Sequence, residues 1–208
     1  MARRTEKERR GEHYYREAKK QGYRSRSAFK LKQIVKQKKL LRGVDRVVEL
    51  CCAPGGWTQV LRELDNTLEI VAVDLNQMPP VRGVKFAQGD VLQEKTFEEI
   101  EKLTGGSADL VLSDCSPNVS GHWELDVARQ LALVERTVEI AMKLLTSKGK
   151  VLAKIFQGPG FEDVLKETRQ MFKSVRLIKP RASRRKSAEI YMLAVGPRLG
   201  KEQEESNG

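Results

Sequence analysis

The stretch Arg46-Val-Val-Glu-Leu-Cys-Cys-Ala-Pro-Gly-Gly-Trp57 reads as a buried strand, a sharp turn and the start of a helix. Its β-branched run ends at a Pro-Gly-Gly turn, and helical spacing then continues to Leu64. The same alternation recurs downstream. Strands are expected at Glu69–Asp74, near Val84–Ala87, and at Ala108–Asp114 and Val151–Phe156. Helical patterns over Phe97–Leu103, Asp126–Leu145 and Phe161–Phe172 accompany them, and the Lys148-Gly-Lys stretch leads into the strand Val151–Phe156. Between Asp126 and Leu145, residues Val127, Leu131, Val134, Val138, Ala141 and Leu145 form an apolar stripe that is core packing. Repeated strand–helix units predict a mainly parallel sheet with helices on both faces. The last two strands, Val175–Ile178 and Glu189–Val195, have only a basic loop between them. So short a link predicts an antiparallel C-terminal strand, because a parallel crossover needs more chain.

Working outward, the 208 residues suit one domain, and 39% hydrophobic content supplies a core. The longest run free of Asp, Glu, Lys and Arg is Leu50–Leu61, too short for a membrane helix, and no secretory signal pattern opens the chain. Cys51, Cys52 and Cys115 form no C-x-x-C pair and leave one over. They read as small core fillers in a reducing cytoplasmic compartment, without disulfides. With only His13 and His122 beside them, no metal site is expected.

The net charge of +11 is unevenly spread. Residues 1–46 hold 17 Lys and Arg against 5 Asp and Glu, whereas the remaining 162 hold 22 against 23. A second basic cluster runs from Lys173 to Lys186 and includes Arg176, Lys179, Arg181, Arg184 and Arg185. A solvated tail and loop would account for such charge runs. However, Tyr14, Tyr15, Tyr23 and Phe29 are interleaved with the N-terminal cations, and aromatics beside cations suit single-stranded or locally opened RNA. The organisation expected is a single domain over 1–200, with a basic RNA-binding extension and helix at 1–45 and a polar tail at 201–208.

In a sheet of this kind ligands sit at the carboxyl ends of the strands. Gly55 and Gly56 open the backbone to close approach at a helix N-terminus. Asp74 ends the second strand 19 residues after Gly55, placed to accept from a ribose hydroxyl pair. Gly89-Asp90 follows the third strand, where a carboxylate suits an adenine amino group. Any one of these alone would pass for a turn acid or a helix cap; in this strand order they point to an adenosine-type cofactor. Lys154 interrupts the otherwise apolar run Val151–Phe156, and burying it uncompensated would be costly. A structural Lys–Asp pair is the plainer reading, but lysine is an expensive brace for a sheet.

The Ala-Pro-Gly-Gly-Trp stretch, the aspartates at 74 and 90, and Ser113-Asp-Cys-Ser-Pro-Asn-Val-Ser-Gly121 resemble the FtsJ/RrmJ family. The resemblance runs from Ser25 to Tyr191. It implies a Rossmann-like class I methyltransferase that uses S-adenosylmethionine to methylate RNA ribose 2′-hydroxyls. It also implies a cofactor pocket containing Gly55, Trp57, Asp74, Asp90 and Asp114, with Glu49 where the family more usually has Asp. The family's catalytic Lys-Asp-Lys-Glu tetrad maps onto Lys30, Asp114, Lys154 and Glu189. In that scheme Lys154 takes the hydroxyl proton or stabilises the oxyanion. Desolvation and Lys30 would lower the Lys154 pKa, and Asp114 would raise it. Asp114 orients Lys154, Glu189 holds Lys30 or the ribose, and no metal takes part. The segment Ser116–Gly121 looks like the ribosomal-RNA branch, which implies a uridine of large-subunit ribosomal RNA, in the peptidyl-transferase region, as target. The partner would be that RNA or the ribosomal subunit, the enzyme a cytoplasmic monomer. A transfer-RNA anticodon-loop methyltransferase is the alternative, and a non-catalytic RNA-binding assembly factor is the reading of another class.

Overall fold

A computed structural model describes residues 6–184 and 187–199; the expected tail at 201–208 and basic residues Arg185 and Lys186 lie outside it. Two helices, α1 (Glu6–Lys20) and α2 (Ala28–Lys38), precede the alternating body. The body runs β1 (Arg46–Leu50), α3 (Gly56–Leu64), β2 (Glu69–Asp74), β3 (Val84–Gln88), α4 (Glu94–Thr104), β4 (Ala108–Ser113) and α5 (Trp123–Leu144). It closes with β5 (Leu145–Phe156), α6 (Phe161–Met171), β6 (Phe172–Ile178) and β7 (Glu189–Pro197).

The seven strands form one sheet in the order β3-β2-β1-β4-β5-β7-β6. Five are parallel neighbours, while β7 runs antiparallel between β5 and β6. The C-terminal hairpin therefore does not extend the sheet in sequence order: its second strand inserts next to β5. In register, Lys154 lies opposite Tyr191 and Phe156 opposite Glu189.

Period-two alternation sends successive side chains to opposite faces. Val48, Leu50, Val111, Val151, Ala153 and Ile155 pack under α4, α5 and α6. On the other face Val47, Leu110 and Leu152 meet α2 and α3 through Leu31, Ile34, Val60 and Leu61. The basic segment is thus not a loose tail. Its second helix closes one face of the core, burying Ala28, Leu31 and Ile34.

Four elements start three or more residues earlier than their sequence pattern, among them α4 at Glu94 and β6 at Phe172. Helix α5 begins at Trp123, and β5 begins at Leu145, directly where α5 ends. Leu145 pairs with Ala108, and a shift of register before Leu110–Lys150 absorbs the Lys148-Gly-Lys stretch.

The cysteine expectation is overturned. Cys51 and Cys115 form a disulfide with Cα atoms 5.0 Å apart, and only Cys52 is a free, buried thiol. Leu50 pairs with Ser113 across the β1–β4 ladder, so the residues just past each strand end meet in space. Their separation of 64 in sequence hides that proximity.

Candidate active site

The carboxyl ends of β1, β2, β3 and β4 enclose a cavity of about 710 Å³. Asp74, Asn76, Asp90 and Asp114 supply polar groups to it; Leu75, Val91, Leu92 and Leu133 supply apolar walls. Asp74 and Asp90 are held by backbone amides. Asp74 Oδ2 accepts from the Ala53 amide at 2.9 Å and Oδ1 from the Asn76 amide at 2.8 Å. Asp90 Oδ1 accepts from the Leu92 amide at 3.0 Å. A carboxylate offers about four lone-pair sites, so each keeps capacity for a ligand hydroxyl or amine. Volume, apolar slot and spare acceptors together fit an adenosine-type cofactor such as S-adenosylmethionine.

Gly55 and Trp57 do not line this cavity. The Gly55–Gly56 pair instead makes room for the chain's own N-terminal segment. At Gly55, φ +101°, an added Cβ would lie 2.7 Å from Arg24 Nη1; at Gly56 it would lie 2.1 Å from Ser25 Oγ. Arg24 donates to the carbonyls of Pro79 at 2.6 Å and Pro80 at 3.1 Å. Trp57 is 2% exposed, gives its indole N–H to the Ser27 carbonyl at 2.9 Å, and packs on Tyr191. In the structure this motif docks the arm onto the body; the sequence reading of glycines opened for a ligand missed that use.

Glu49 is also outside the cavity lining. It is a buried residue of β1 and accepts from the Thr58 hydroxyl at 2.7 Å. Burial pushes its carboxyl up to about 8; the Thr58 hydrogen bond opposes this, and the charges of Asp114 and Asp74 add to it.

Asp114, Lys154, Lys30 and Glu189 come together at the next strand ends. Lys154 Nζ donates to the Asp114 carbonyl at 2.7 Å and to the Ser116 hydroxyl, and lies 3.3 Å from Asp114 Oδ1. Lys30 Nζ, from α2, pairs with Glu189 Oε1 at 2.6 Å, and the Ser183 hydroxyl donates to the same oxygen at 3.0 Å. Burial works to raise the Glu189 carboxyl, but Lys30 beside it and Lys154 nearby bring it below the usual range.

Tyr191 links the two pairs, and sequence reasoning gave it no role. Its hydroxyl donates to Asp114 Oδ1 at 2.8 Å, and Lys30 Nζ lies 5.9 Å from its ring centroid. Burial, then the charges of Asp114 and Glu189, raise its own pKa well above the ordinary tyrosine value. Its place two residues after Glu189 on one strand was the available signal.

The N-terminal aromatics are mostly occupied. Tyr14 and Tyr23 each pack on Phe29, and the Tyr23 hydroxyl donates to Glu63 while accepting from Lys32. Tyr15 is exposed, with Lys19 over its ring. The two basic segments do meet. Gln33 Oε1 on α2 accepts from the Ala182 amide at 3.0 Å, and Arg184 adds to burial in lowering the Arg26 pKa. Among the described residues no cluster of His, Cys, Asp or Glu could hold a metal ion, and no helix is long and apolar enough to cross a membrane.

A mainly parallel sheet with a carboxylate-lined cavity at its carboxyl edge is the doubly wound arrangement that suits a nucleoside-type ligand. Residues 23–197 match the model of the FtsJ-like methyltransferases, and the chain belongs to that family. It is 48% identical over 182 residues to the ribosomal RNA large subunit methyltransferase E of Methanothrix thermoacetophila, covering 88% of this chain and 71% of that one. The protein of the same name from Methanothermobacter thermautotrophicus is 41% identical, with 93% of each chain covered. The crystal structure of a putative ribosomal RNA methyltransferase from Plasmodium falciparum superposes with a TM-score of 0.76 at 22% identity. That structure covers 86% of this chain and all of its own, and it supports the fold.

Proposed function

We propose that this protein transfers the methyl group of S-adenosylmethionine to a ribose 2′-hydroxyl of large-subunit ribosomal RNA, at a uridine, in the cytoplasm. The observation that carries this reading is the placement of Lys154. It is a buried lysine at the end of β5, held by Asp114 and Ser116, between the cofactor cavity and the joined basic segments. Residues 1–45 act as part of one catalytic domain over 1–200, since Lys30 of α2 reaches Glu189 of β7.

When bound, the cofactor supplies an already activated methyl group on a sulfonium. Asp74 would hold the ribose, Asp90 the adenine amino group, and Asp114 the end that meets the tetrad. The protein's remaining tasks are alignment and the hydroxyl proton. Lys154 Nζ faces the acceptor oxygen and takes its proton or stabilises its developing charge; Asp114 and Ser116 fix that amine in direction. Glu189 keeps Lys30 beside it, so a second cation bears on the same oxygen. Transfer would join that methyl group to the 2′-oxygen and leave a neutral thioether, with the hydroxyl's proton passing to Lys154.

The 2′-hydroxyl makes the substrate RNA. The names of the relatives and the Ser116–Gly121 segment favour ribosomal over transfer RNA. A non-catalytic assembly factor would have no use for an ordered lysine pair at the cavity edge. The test offers methyl-labelled S-adenosylmethionine with ribosomal subunits, free ribosomal RNA and transfer RNA in parallel. Label in large-subunit RNA, at a linkage resistant to alkaline cleavage, is the expected result. Label confined to transfer RNA, or to bases, would overturn the assignment.

A further inference from the structure

Resting on that reading, we propose that Trp123 is a stacking platform for an unstacked base of the substrate RNA, backed by Phe156. The base is that of the methylated nucleotide or of its immediate neighbour. Trp123 opens α5 and is 48% exposed, unusual for an indole. Its ring lies on Phe156 with centroids 6.1 Å apart and planes within 15°. Phe156 is two residues beyond Lys154 on the same strand, roughly 7 Å further along. An aromatic platform therefore sits one strand step from the proposed reacting oxygen, where the target ribose must be presented.

The platform is built rather than incidental. Trp123, Val127 and Gln130 follow one another along a single face of α5. Gln130 Nε2 donates to the Lys154 carbonyl at 2.8 Å. Val127 fills the space beside Gly158, where an added Cβ would come 2.9 Å from its methyl. Ahead of the helix, the Ser120 amide and hydroxyl each donate to Asp126 Oδ1 at 2.8 Å, fixing the preceding loop. The helix start is thus tied to β5 at Lys154, at Phe156 and just beyond it. Val119 and Leu125, four residues before and two after Trp123, are likewise exposed. An exposed indole backed by a second aromatic ring suits the face of an unstacked base. Trp123 lies outside the cofactor cavity lining, so its work is with the second substrate.

The experiment compares the full chain with its Trp123→Ala and Trp123→Phe variants on a large-subunit RNA fragment. Alanine should raise KM for RNA about ten- to hundredfold. The S-adenosylmethionine Kd should stay within twofold, and phenylalanine should restore most of the loss. The chain has two tryptophans and Trp57 is buried, so RNA should quench wild-type fluorescence, and Trp123→Phe should lose that response. RNAs abasic at the target nucleotide or at either neighbour tell the sources apart. The abasic position that removes the difference between wild type and Trp123→Ala marks the stacked base. An unchanged KM in Trp123→Ala, or a difference that persists on every abasic RNA, would overturn the platform. If the wild-type protein methylates no RNA, the functional reading fails instead.

Discussion

The two halves of the carboxyl edge are held in different ways. Around the cofactor cavity, Asp74 and Asp90 are each fixed by the amide two residues on, with Ala53 of the neighbouring strand end, 21 residues away, adding to Asp74. On the substrate side, Lys30 and Glu189 are 159 residues apart, and Lys154 meets Asp114 across 40. That half exists only once α2, β4, β5 and β7 are all in place. On the proposed reading, cofactor recognition is a property of strand ends, whereas the tetrad's geometry is a property of the whole fold.

The strongest way to break this division is to remove one group from each half. Lys154→Ala should lower the rate of methyl transfer about a thousandfold while S-adenosylmethionine binding stays within threefold. Asp74→Asn should do the reverse, weakening cofactor binding about tenfold with turnover at saturation largely kept. Calorimetric cofactor titration and single-turnover transfer measure the two separately. Loss of cofactor affinity in Lys154→Ala would show that the halves are not separable.

The same division explains what could be read from the chain. Asp74 and Asp90 were visible because strand periodicity sets where a strand ends, and Lys154 because a charge stood alone in an apolar run. Lys30 and Glu189 were reached only through family resemblance, since no local pattern joins residues so far apart. The Gly55-Gly56-Trp57 motif was found but its local use misread: the group that approaches the glycines closely is the chain's own Arg24–Ser25. Trp123 escaped notice because the stripe behind it starts at Val127, and the helix was expected from Asp126. The Cys51–Cys115 pairing required knowing that β1 and β4 are neighbours.

That disulfide gives the next test, because it stitches the cofactor cavity and the Asp114–Ser116 junction that holds Lys154, but not the Lys30–Glu189 pair. It joins the turn after β1 to the loop after β4, closing 64 residues, and Cys51 itself lines the cavity. By the loop-entropy argument, reduction should cost about 2–4 kcal/mol, roughly 5–15 °C in Tm for a chain of this size. Hydrogen exchange should then rise at 51–55 and 115–121 but stay slow around Lys30 and Glu189. An equal rise in both places would sink the idea that the halves are held independently. A Cys51→Ser/Cys115→Ser variant should behave like the reduced protein and be insensitive to further reductant.

The smallest effect concerns Glu49, a carboxyl whose raised pKa reflects both halves. Burial sets most of its shift to about 8, and both Asp114 and Asp74 add to it. The folded protein therefore keeps a proton on Glu49 at neutral pH, where the unfolded chain, with an ordinary glutamate, does not. Stability from this group is full below the unfolded value near 4.5 and is lost as pH rises toward 8. The expected loss is about 2–3 kcal/mol between pH 5.5 and 7.5. Glu49→Gln keeps an acceptor for Thr58 and removes the titration, so its unfolding free energy should be flatter with pH over that range. Denaturant melts at several pH values measure this directly. A variant as pH-dependent as the wild type would mean Glu49 is ionised in the fold, with three carboxylates crowded at one sheet edge. Because the neutral acid lies under the join between the two sites, cofactor affinity in Glu49→Gln should change little at pH 6 and favour the variant at pH 9.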